Sequence, residues 1–439
     1  MTLAFTNQEQ HPMVAALLRT RVPRWEQLNR AIDERDDMLD FAMQLFERDR
    51  DAALTNYFQN GLEQFNIVKH VASWRGRPPR RMLDFASGYG RLTRFLVHQH
   101  LADEITVSDI LAGGMEFQAR ELGVQTILSA TNPDDFAAPS KYDLIFVASL
   151  FTHLPPATFT RWLRRLAALL EPEGMLLFSV HDESIAPLKV EEGIAFQTTS
   201  ESRVLDTSEY GSTWVTESYV REQVASIEPG FACVRLPRAL SDWQDLYVIS
   251  PSPLDGAPRR SPKGFFERCE IVPDGVRFAG WATSIDEQAD RVEVRIEDDV
   301  VASTNEFRPR PDVGAFFNSD AATNSAWELV VPHDKIQSFR YQTATLSVFS
   351  RQQVERILFL GTIDSATGFA ARERSRAIEK DLERAAAIIH GLEERNAVLD
   401  HKRAELERLV AAMKQSRFWK ARDQWFRLKG AIPFRGRTD

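Results

Sequence analysis

Between residues 54 and 71 apolar side chains recur every three or four positions, at Leu54, Phe58, Leu62, Phe65, Val68 and Val71. That spacing predicts a long amphipathic helix. The preceding stretch, residues 33–51, is heavily charged, and residues 1–75 together are expected to form a helical cap packed on the domain that follows. From residue 80 the pattern changes to short apolar runs alternating with segments of helical period. Residues 82–85, 105–109, 142–147 and 175–180 read as buried strands, and 161–170 reads as a helix broken by Glu171-Pro172-Glu173-Gly174. Two later runs, 232–236 and 245–249, read as a closing hairpin that adds an antiparallel strand. Strands alternating with helices imply an α/β domain over residues 76–251, a parallel sheet covered by helices on both faces.

Past a Pro/Ser/Gly-rich linker at 252–264, the hydrophobic period becomes two. Residues 275–282, 292–296, 327–331 and 344–349 read as strands joined by polar turns, and a β-sandwich over 265–365 is the simplest fold for them. Residues 370–415 then carry apolar positions at a regular 3-4 spacing: Ile378, Leu382, Ala385, Ile389, Leu392, Leu399, Leu406, Val410 and Met413. With Leu382 at heptad position a, Asn396 also falls at a, and β-branched and leucine residues fill the core as in two-stranded coils. In a parallel homodimer Arg395 faces Asp400 and Lys402 faces Glu407; a trimer stays open. The tail, 416–439, interleaves Phe418, Trp419, Trp425 and Phe426 with Arg417, Lys420, Arg422 and Arg427. Such a helix suits either an anionic membrane surface or the acidic face of a protein partner.

At 439 residues the chain exceeds one average core, so two or three domains are expected. Its formal net charge of -9 argues against nucleic acid as the main partner. Only two cysteines occur, Cys233 and Cys269, with no Cys/His cluster at ligand spacing. Neither a disulfide framework nor a bound metal is expected, and a reducing cytoplasm fits. The first residues lack the basic and apolar regions of a signal peptide, and no apolar run suffices to span a bilayer. Membrane contact, if the tail makes it, is therefore expected to be peripheral, on the inner face.

The densest chemistry lies in Asp84-Phe85-Ala86-Ser87-Gly88-Tyr89-Gly90, where a strand hands over to a helix. Gly88 and Gly90 permit a sharp turn and a close ligand approach, and Asp109 ends the next strand where a carboxylate meets ribose hydroxyls. A nicotinamide fingerprint would place a small residue at position 93, which here is Thr93. The early acid and late glycines instead resemble the D-x-G-x-G-x-G loop of class I S-adenosylmethionine-dependent methyltransferases, with Ala86 in place of the first glycine. The resemblance spans roughly residues 80–250. It implies a Rossmann-like sheet and S-adenosyl-L-methionine as cofactor, with Asp84 holding the methionine ammonium and Asp109 the ribose. Ala86, Ser87, Gly88 and Gly90 would form the loop. Ile110 and Ala130 would lie near adenine and Ser149 near the methionine end.

Methyl transfer to a hydroxyl requires a proton acceptor, for which a histidine is suited. His153 follows the fourth strand, and His181 with Asp182 follows the fifth. These three are the catalytic candidates, His181 foremost, against a packing role for His153. The insertion at 185–220 and the N-terminal helices are expected to cover the acceptor, with Tyr210 and Trp214 stacking on sugar rings or packing in the core. Gly280-Trp281-Ala282 and Arg310-Pro311-Asp312-Val313 resemble accessory domains beside bacterial glycan-modifying enzymes. That company implies a sugar of a cell-surface polysaccharide or its lipid-linked precursor as acceptor. The alternatives are a small molecule, a protein, or an inactive glycan-binding scaffold.

Overall fold

The structure is a computed structural model. It describes residues 3–198, 210–241, 243–255, 261–285, 287–368, 370, 402–404, 406–408 and 411–413. The chain divides into two units, Met1–Thr367 and Gly368–Asp439.

The first unit begins with α1 (Pro12–Arg19), α2 (Asp37–Leu45) and α3 (Arg50–Ala72). Asp49 caps α3, its carboxylate accepting from the Asp51 and Ala52 N–H groups, which offsets two of the unpaired donors at a helix start. The six apolar positions read from the sequence are all buried along α3. Next come β1 (Arg81–Phe85), α4 (Thr93–His98), β2 (Glu104–Asp109), α5 (Ala112–Leu122), β3 (Gln125–Leu128), β4 (Tyr142–Val147), α6 (Pro156–Ala167) and β5 (Leu170–Asp182). The segment closes with β6 (Ile194–Gln197), β7 (Ser212–Val215), α7 (Glu217–Ile227), β8 (Ala232–Leu240) and β9 (Gln244–Ser250). The sheet runs β3-β2-β1-β4-β5 with all strands parallel. β9 adds antiparallel to β5, and β8 to β9.

One helix boundary differs from the sequence reading. α6 starts at Pro156, where the missing N–H is one the first turn does not need, and ends at Ala167. β5 already begins at Leu170, and its register against β4 shifts around Glu171-Pro172-Glu173-Gly174. The break falls inside an irregular strand rather than at a helix end.

Side-chain alternation splits the sheet between two cores. Met82, Leu144, Phe146, Leu177, Leu246 and Val248 join the N-terminal helices, whereas Leu83, Phe85, Ile145, Val147, Leu176 and Phe178 pack under α6 and α7. Since neighbours along a strand point to opposite faces, Asp84 shares the face of Met82, toward α3 and α4.

The later strands are β10 (Lys263–Val272), β11 (Gly275–Thr283), β12 (Arg291–Ile296), β13 (Asp299–Thr304), β14 (Arg308–Pro309), β15 (Asn324–Pro332), β16 (Thr343–Phe349) and β17 (Glu355–Thr362), with α8 (Pro311–Phe317) between β14 and β15. They make two four-stranded antiparallel sheets, β10-β11-β15-β14 and β13-β12-β16-β17. The rings of Phe266 and Phe359 meet between the sheets at 5.4 Å. Lys263 and Gly264, assigned to the linker by composition, are the first residues of β10. β17 fastens the second sheet to the cap: Arg21 grips both carboxylate oxygens of Glu355, Arg356 meets Glu63, and Ile357 and Leu360 pack against the helical core.

In the second unit the described residues 402–404, 406–408 and 411–413 are helical. Leu406 and Met413, two of the heptad positions, are exposed, and Glu407 pairs with Arg403 one turn away at 3.1 Å. The remaining heptad positions, those up to Leu399 with Asn396 and also Val410, and the basic aromatic tail lie outside the described residues. Among the described residues no helix is long and apolar enough to cross a membrane.

Candidate functional site

The C-terminal ends of β1, β2, β4 and β5 carry the site, where open α/β sheets bind ligands. After β1 the chain turns through Ala86 (φ 60°), Gly88 (φ 55°) and Gly90 (φ 80°), three left-handed residues in a span of five. Ala86 holds this conformation against the steric cost of its Cβ. Gly114, in the first turn of α5, lets that helix seat on the loop, because a Cβ there would fall 2.4 Å from the Gly88 carbonyl oxygen. Gln118, one turn on, donates to Ser87 Oγ at 2.8 Å and to the Gly88 carbonyl at 2.9 Å.

Asp109 braces the loop from β2. Its Oδ2 accepts from the Gly88 N–H at 2.8 Å and its Oδ1 from the Leu111 N–H at 2.9 Å. Ile110 follows directly, and the Asp109 carbonyl accepts from Ser129 N–H at 2.8 Å, which brings Ala130 to the same edge. Asp84 is buried, and Thr93 Oγ1 donates to its Oδ2 at 2.8 Å. Thr93 carried no role in the sequence reading beyond its size; its hydroxyl is the protein group that holds this acid. Burial pushes Asp84 up to about 7, Thr93 opposing and the neighbouring Asp109 adding to the rise. Asp109 is likewise raised by burial, against the N–H groups it accepts from.

These residues fit S-adenosylmethionine. A buried carboxylate with no cationic partner among the described residues is an acceptor for an ammonium group, and a Cβ at Gly88 would meet nothing within 4 Å, leaving room for a ligand beside the loop.

The other half of the site follows β4 and β5. Ser149 is also left-handed (φ 60°). Its N–H donates to Ser179 Oγ at 2.7 Å, and its hydroxyl and the Gln244 side chain bond one another. His153 directs Nδ1 at the Gly211 carbonyl, 2.6 Å away; a carbonyl only accepts, so Nδ1 carries the proton. The ring stacks on Tyr210 at 4.5 Å between centroids and lies 6.5 Å from the ring of His181.

His181 shares its face of β5 with Ser179. Trp214 stacks beside it at 6.1 Å, and Trp243, exposed at the β8–β9 tip, approaches edge-on at 6.4 Å. Among the described residues His181 Nδ1 is buried with no hydrogen-bond partner. Burial, helped by His153, lowers its pKa to about 4, so the imidazole is neutral near pH 7.

The insertion reaches this place by pairing. Trp214 and Val215 of β7 register with His181 and Asp182, and Gly211 and Thr213 donate backbone N–H groups to the carbonyls of His153 and Thr152. Trp214 is buried, so its ring supports His181 more than it offers an open face. Asp182 is not a partner of His181. Successive residues of a strand face opposite ways, and its carboxylate accepts from Ser184 N–H and from Arg235, 2.8 Å away. Arg235 also binds Glu217 and Asp245.

Among the described residues no group of His, Cys, Asp and Glu could hold a metal ion. A depression lined by Ala72, Arg75, Pro78, Pro79, Asp143 and Met175 lies at the N-terminal ends of β1 and β4, away from all these residues.

Residues 83–176 match the family model of a methyltransferase domain. The chain thus carries a methyltransferase domain, Rossmann-like in fold, and its cofactor is S-adenosylmethionine. Among solved structures it is similar to the DhpI–SAH complex, at 17% identity over 49% of this chain and 96% of that one, with a TM-score of 0.33. It is also similar to an S-adenosylmethionine-dependent methyltransferase from Clostridium acetobutylicum ATCC 824, at 12% identity over 49% and 97%, TM-score 0.35. A third is the glycopeptide N-methyltransferase MtfA, at 16% identity over 43% and 90%, TM-score 0.33. No curated protein matches the chain.

Proposed function

We propose that the protein methylates a hydroxyl of a sugar, on a bacterial cell-surface polysaccharide or its lipid-linked precursor. The observation that carries the reading is the gathering of His153, His181, Tyr210, Trp214 and Trp243 at the ends of β4 and β5. Of these rings Tyr210 and Trp243 offer apolar surface to the faces of a sugar while buried Trp214 backs His181, and a neutral imidazole accepts the proton that a hydroxyl loses as its oxygen is alkylated. Bound S-adenosylmethionine supplies an electrophilic methyl group for in-line displacement.

The protein's part is alignment. Asp84 and Asp109 fix the two ends of the cofactor through its ammonium and ribose, and the Ser149–Ser179–Gln244 bonds hold the loop after β4. His181 takes the proton on its side of the acceptor oxygen, and His153, with Nδ1 committed to Gly211, packs the far side.

The remaining chain gives this activity an address. The paired four-stranded sheets form a sandwich that presents Phe316 and Tyr341, both exposed, to glycan. The heptads of 370–415 join two copies in parallel, and the tails of both place the enzyme on anionic lipid at the cytoplasmic face, where two weak anchors act together.

Calorimetric titration with S-adenosylhomocysteine and NADH, followed by transfer of labelled methyl groups to sugars, polysaccharide precursors, peptides and small phenols, tests the reading. Binding of S-adenosylhomocysteine alone, its loss in Asp109→Ala, and label in the sugar acceptors are expected. Label only in peptides or phenols overturns the acceptor class. Cofactor binding with no transfer to any acceptor supports an inactive scaffold instead.

A further inference from the structure

Two ladders meet at His181. The pairing of β5 with β9 stops at Val180, opposite Asp245. Its pairing with β7 begins one residue on and covers His181 and Asp182, opposite Trp214 and Val215. A parallel ladder this short gives the insertion little backbone to hold it.

One guanidinium joins β5, β8, β9 and α7 at this place. Arg235, on β8, donates from Nε to Asp245 Oδ2 at 2.7 Å, from Nη2 to Asp182 Oδ2 at 2.8 Å, and from Nη1 to Glu217 Oε2 at 2.6 Å. Asp182 ends β5, Asp245 stands at the start of β9, and Glu217 opens α7 just after β7. Asp245 is 1% exposed, and its second oxygen accepts from the Arg238 N–H at 2.8 Å.

Strand alternation makes this cluster the reverse side of the histidine site. Asp182 and Asp245 share the face of Val180 and Tyr247, which pack under α6 and α7. Their strand neighbours His181 and Gln244 turn to the face of Leu177, Leu246 and Val248. There His181 meets the rings of His153, Trp214 and Trp243, and Gln244 bonds Ser149. Two side chains of the site thus stand back to back with carboxylates held by the same guanidinium. A planar fork with five donors can serve three carboxylates at once, which a lysine ammonium on its flexible stem does less well. Without Arg235 the buried carboxylates lose their counter-charge and repel one another, and β5, β9 and the start of α7 lose their common tie.

We propose that Arg235 is a positioning residue for the acceptor half of the site: it fixes His181 and Gln244 from behind the sheet through Asp182 and Asp245, and the β7 insertion through Glu217. The inference rests on the reading of His181 as the proton acceptor.

Three variants test it: Arg235→Met, Arg235→Lys and Asp182→Asn. The last keeps Arg235 paired with Asp245 and Glu217, so it judges the proposal even where Arg235→Met does not fold; circular dichroism and the melting temperature verify each variant. The first readout needs no turnover. It is the His181 ring signal in NMR spectra of histidine-labelled protein, assigned by its absence in His181→Gln and followed through a pH titration. Burial holds this ring near 4 in wild type, and a ring released from its seat moves up toward the ordinary histidine value of about 6.5. Asp182→Asn removes a negative charge, which alone would move the ring down, so a rise in that variant reports displacement. The second readout is S-adenosylhomocysteine affinity, expected to stay as in wild type in all three. The third is methyl transfer to the sugar acceptor, where kcat is expected to fall roughly tenfold to a hundredfold in Arg235→Met, with Arg235→Lys between. A His181 titration unchanged in the variants overturns the proposal. So does an affinity loss for S-adenosylhomocysteine as large as the loss in kcat, which marks a general structural role. A shifted ring together with a normal transfer rate in His181→Gln sinks the reading of His181 as the base instead, and the hold of Arg235 on the ring stands.

Discussion

The cofactor half of the site and the histidine half stand at the same edge of one sheet but are assembled differently. Asp84, Gly88, Gly90 and Asp109 come from β1, β2 and the turn between, and their contacts are largely to backbone: Asp109 to two N–H groups, Gln118 to the Gly88 carbonyl. His153, His181, Trp243 and the pair Tyr210 and Trp214 come from four separate segments and meet through ring contacts. A half built on backbone geometry tolerates little change in sequence, because only certain residues fit the required φ. A half built from side chains can change its rings while its backbone stays. The contrast teaches that cofactor and acceptor are specified independently, so that each half should fail alone when its own residues are changed.

The largest effect that tests this independence is expected at His181. With the proposed general base removed, His181→Gln should lower the methyl-transfer rate by roughly two to four orders of magnitude and leave S-adenosylhomocysteine affinity as it was. Because the imidazole titrates near 4, the wild-type rate should show no acid limb from this group between pH 5.5 and 8, as a pH–rate profile with saturating acceptor would reveal. A parallel collapse of cofactor binding would mean the halves are one unit, and the comparison would break.

Asp84 gives the next largest effect, on the other half and with the opposite readout. Its pKa rises from 3.8 to about 7 on folding, so the native state binds the extra proton between those values. The unfolded state loses that proton first as pH rises, and Asp84 therefore costs stability progressively through this window. At pH 8 the cost of a rise this large is on the order of 4 kcal/mol. Asp84→Asn should raise the stability of the ligand-free protein at pH 8 by up to this amount, converge with wild type near pH 4, and weaken S-adenosylhomocysteine binding. His181 acts in the reverse sense: its lowered pKa costs stability as pH falls below the ordinary histidine value. The two slopes oppose each other in wild type, and denaturant titrations of both variants from pH 4 to 8 should separate them.

The same contrast governs how much could be read from the sequence. The loop, both acids and the alternation of strands and helices are local patterns, and each lies in the structure at its expected place along the chain. The partners that complete the site are not local. Thr93 reaches back to Asp84, Gln118 reaches Ser87, and Trp243 arrives from a hairpin whose pairing with β5 decides its position. Adjacency also misled: His181 and Asp182 are neighbours in sequence, but strand alternation sends them to opposite faces, and Asp182 serves Arg235. An exposed tryptophan in a turn was the one available signal for Trp243, and it has no period to mark it.

The smallest predicted effect compares the halves at matched positions. Ala86 after β1 and Ser149 after β4 both hold φ at 60°, a region that costs a residue with a Cβ about 1 to 2 kcal/mol. Replacement by glycine removes that cost and adds back about 0.5 to 1 kcal/mol of chain entropy. Ala86→Gly should therefore gain about 1 kcal/mol or less, since the Ala86 methyl makes no hydrogen bond and the loop keeps its braces from Asp109 and Gln118. Ser149→Gly removes the same strain but also the hydroxyl that bonds Gln244, a loss of similar size. Its net change should be near zero or unfavourable. Denaturant unfolding of both variants measures the difference directly. A gain at Ala86 alone would show that the cofactor loop carries alanine at a conformational cost its ligand contacts do not require; equal gains would mean that the Ser149–Gln244 bond contributes little to the histidine half.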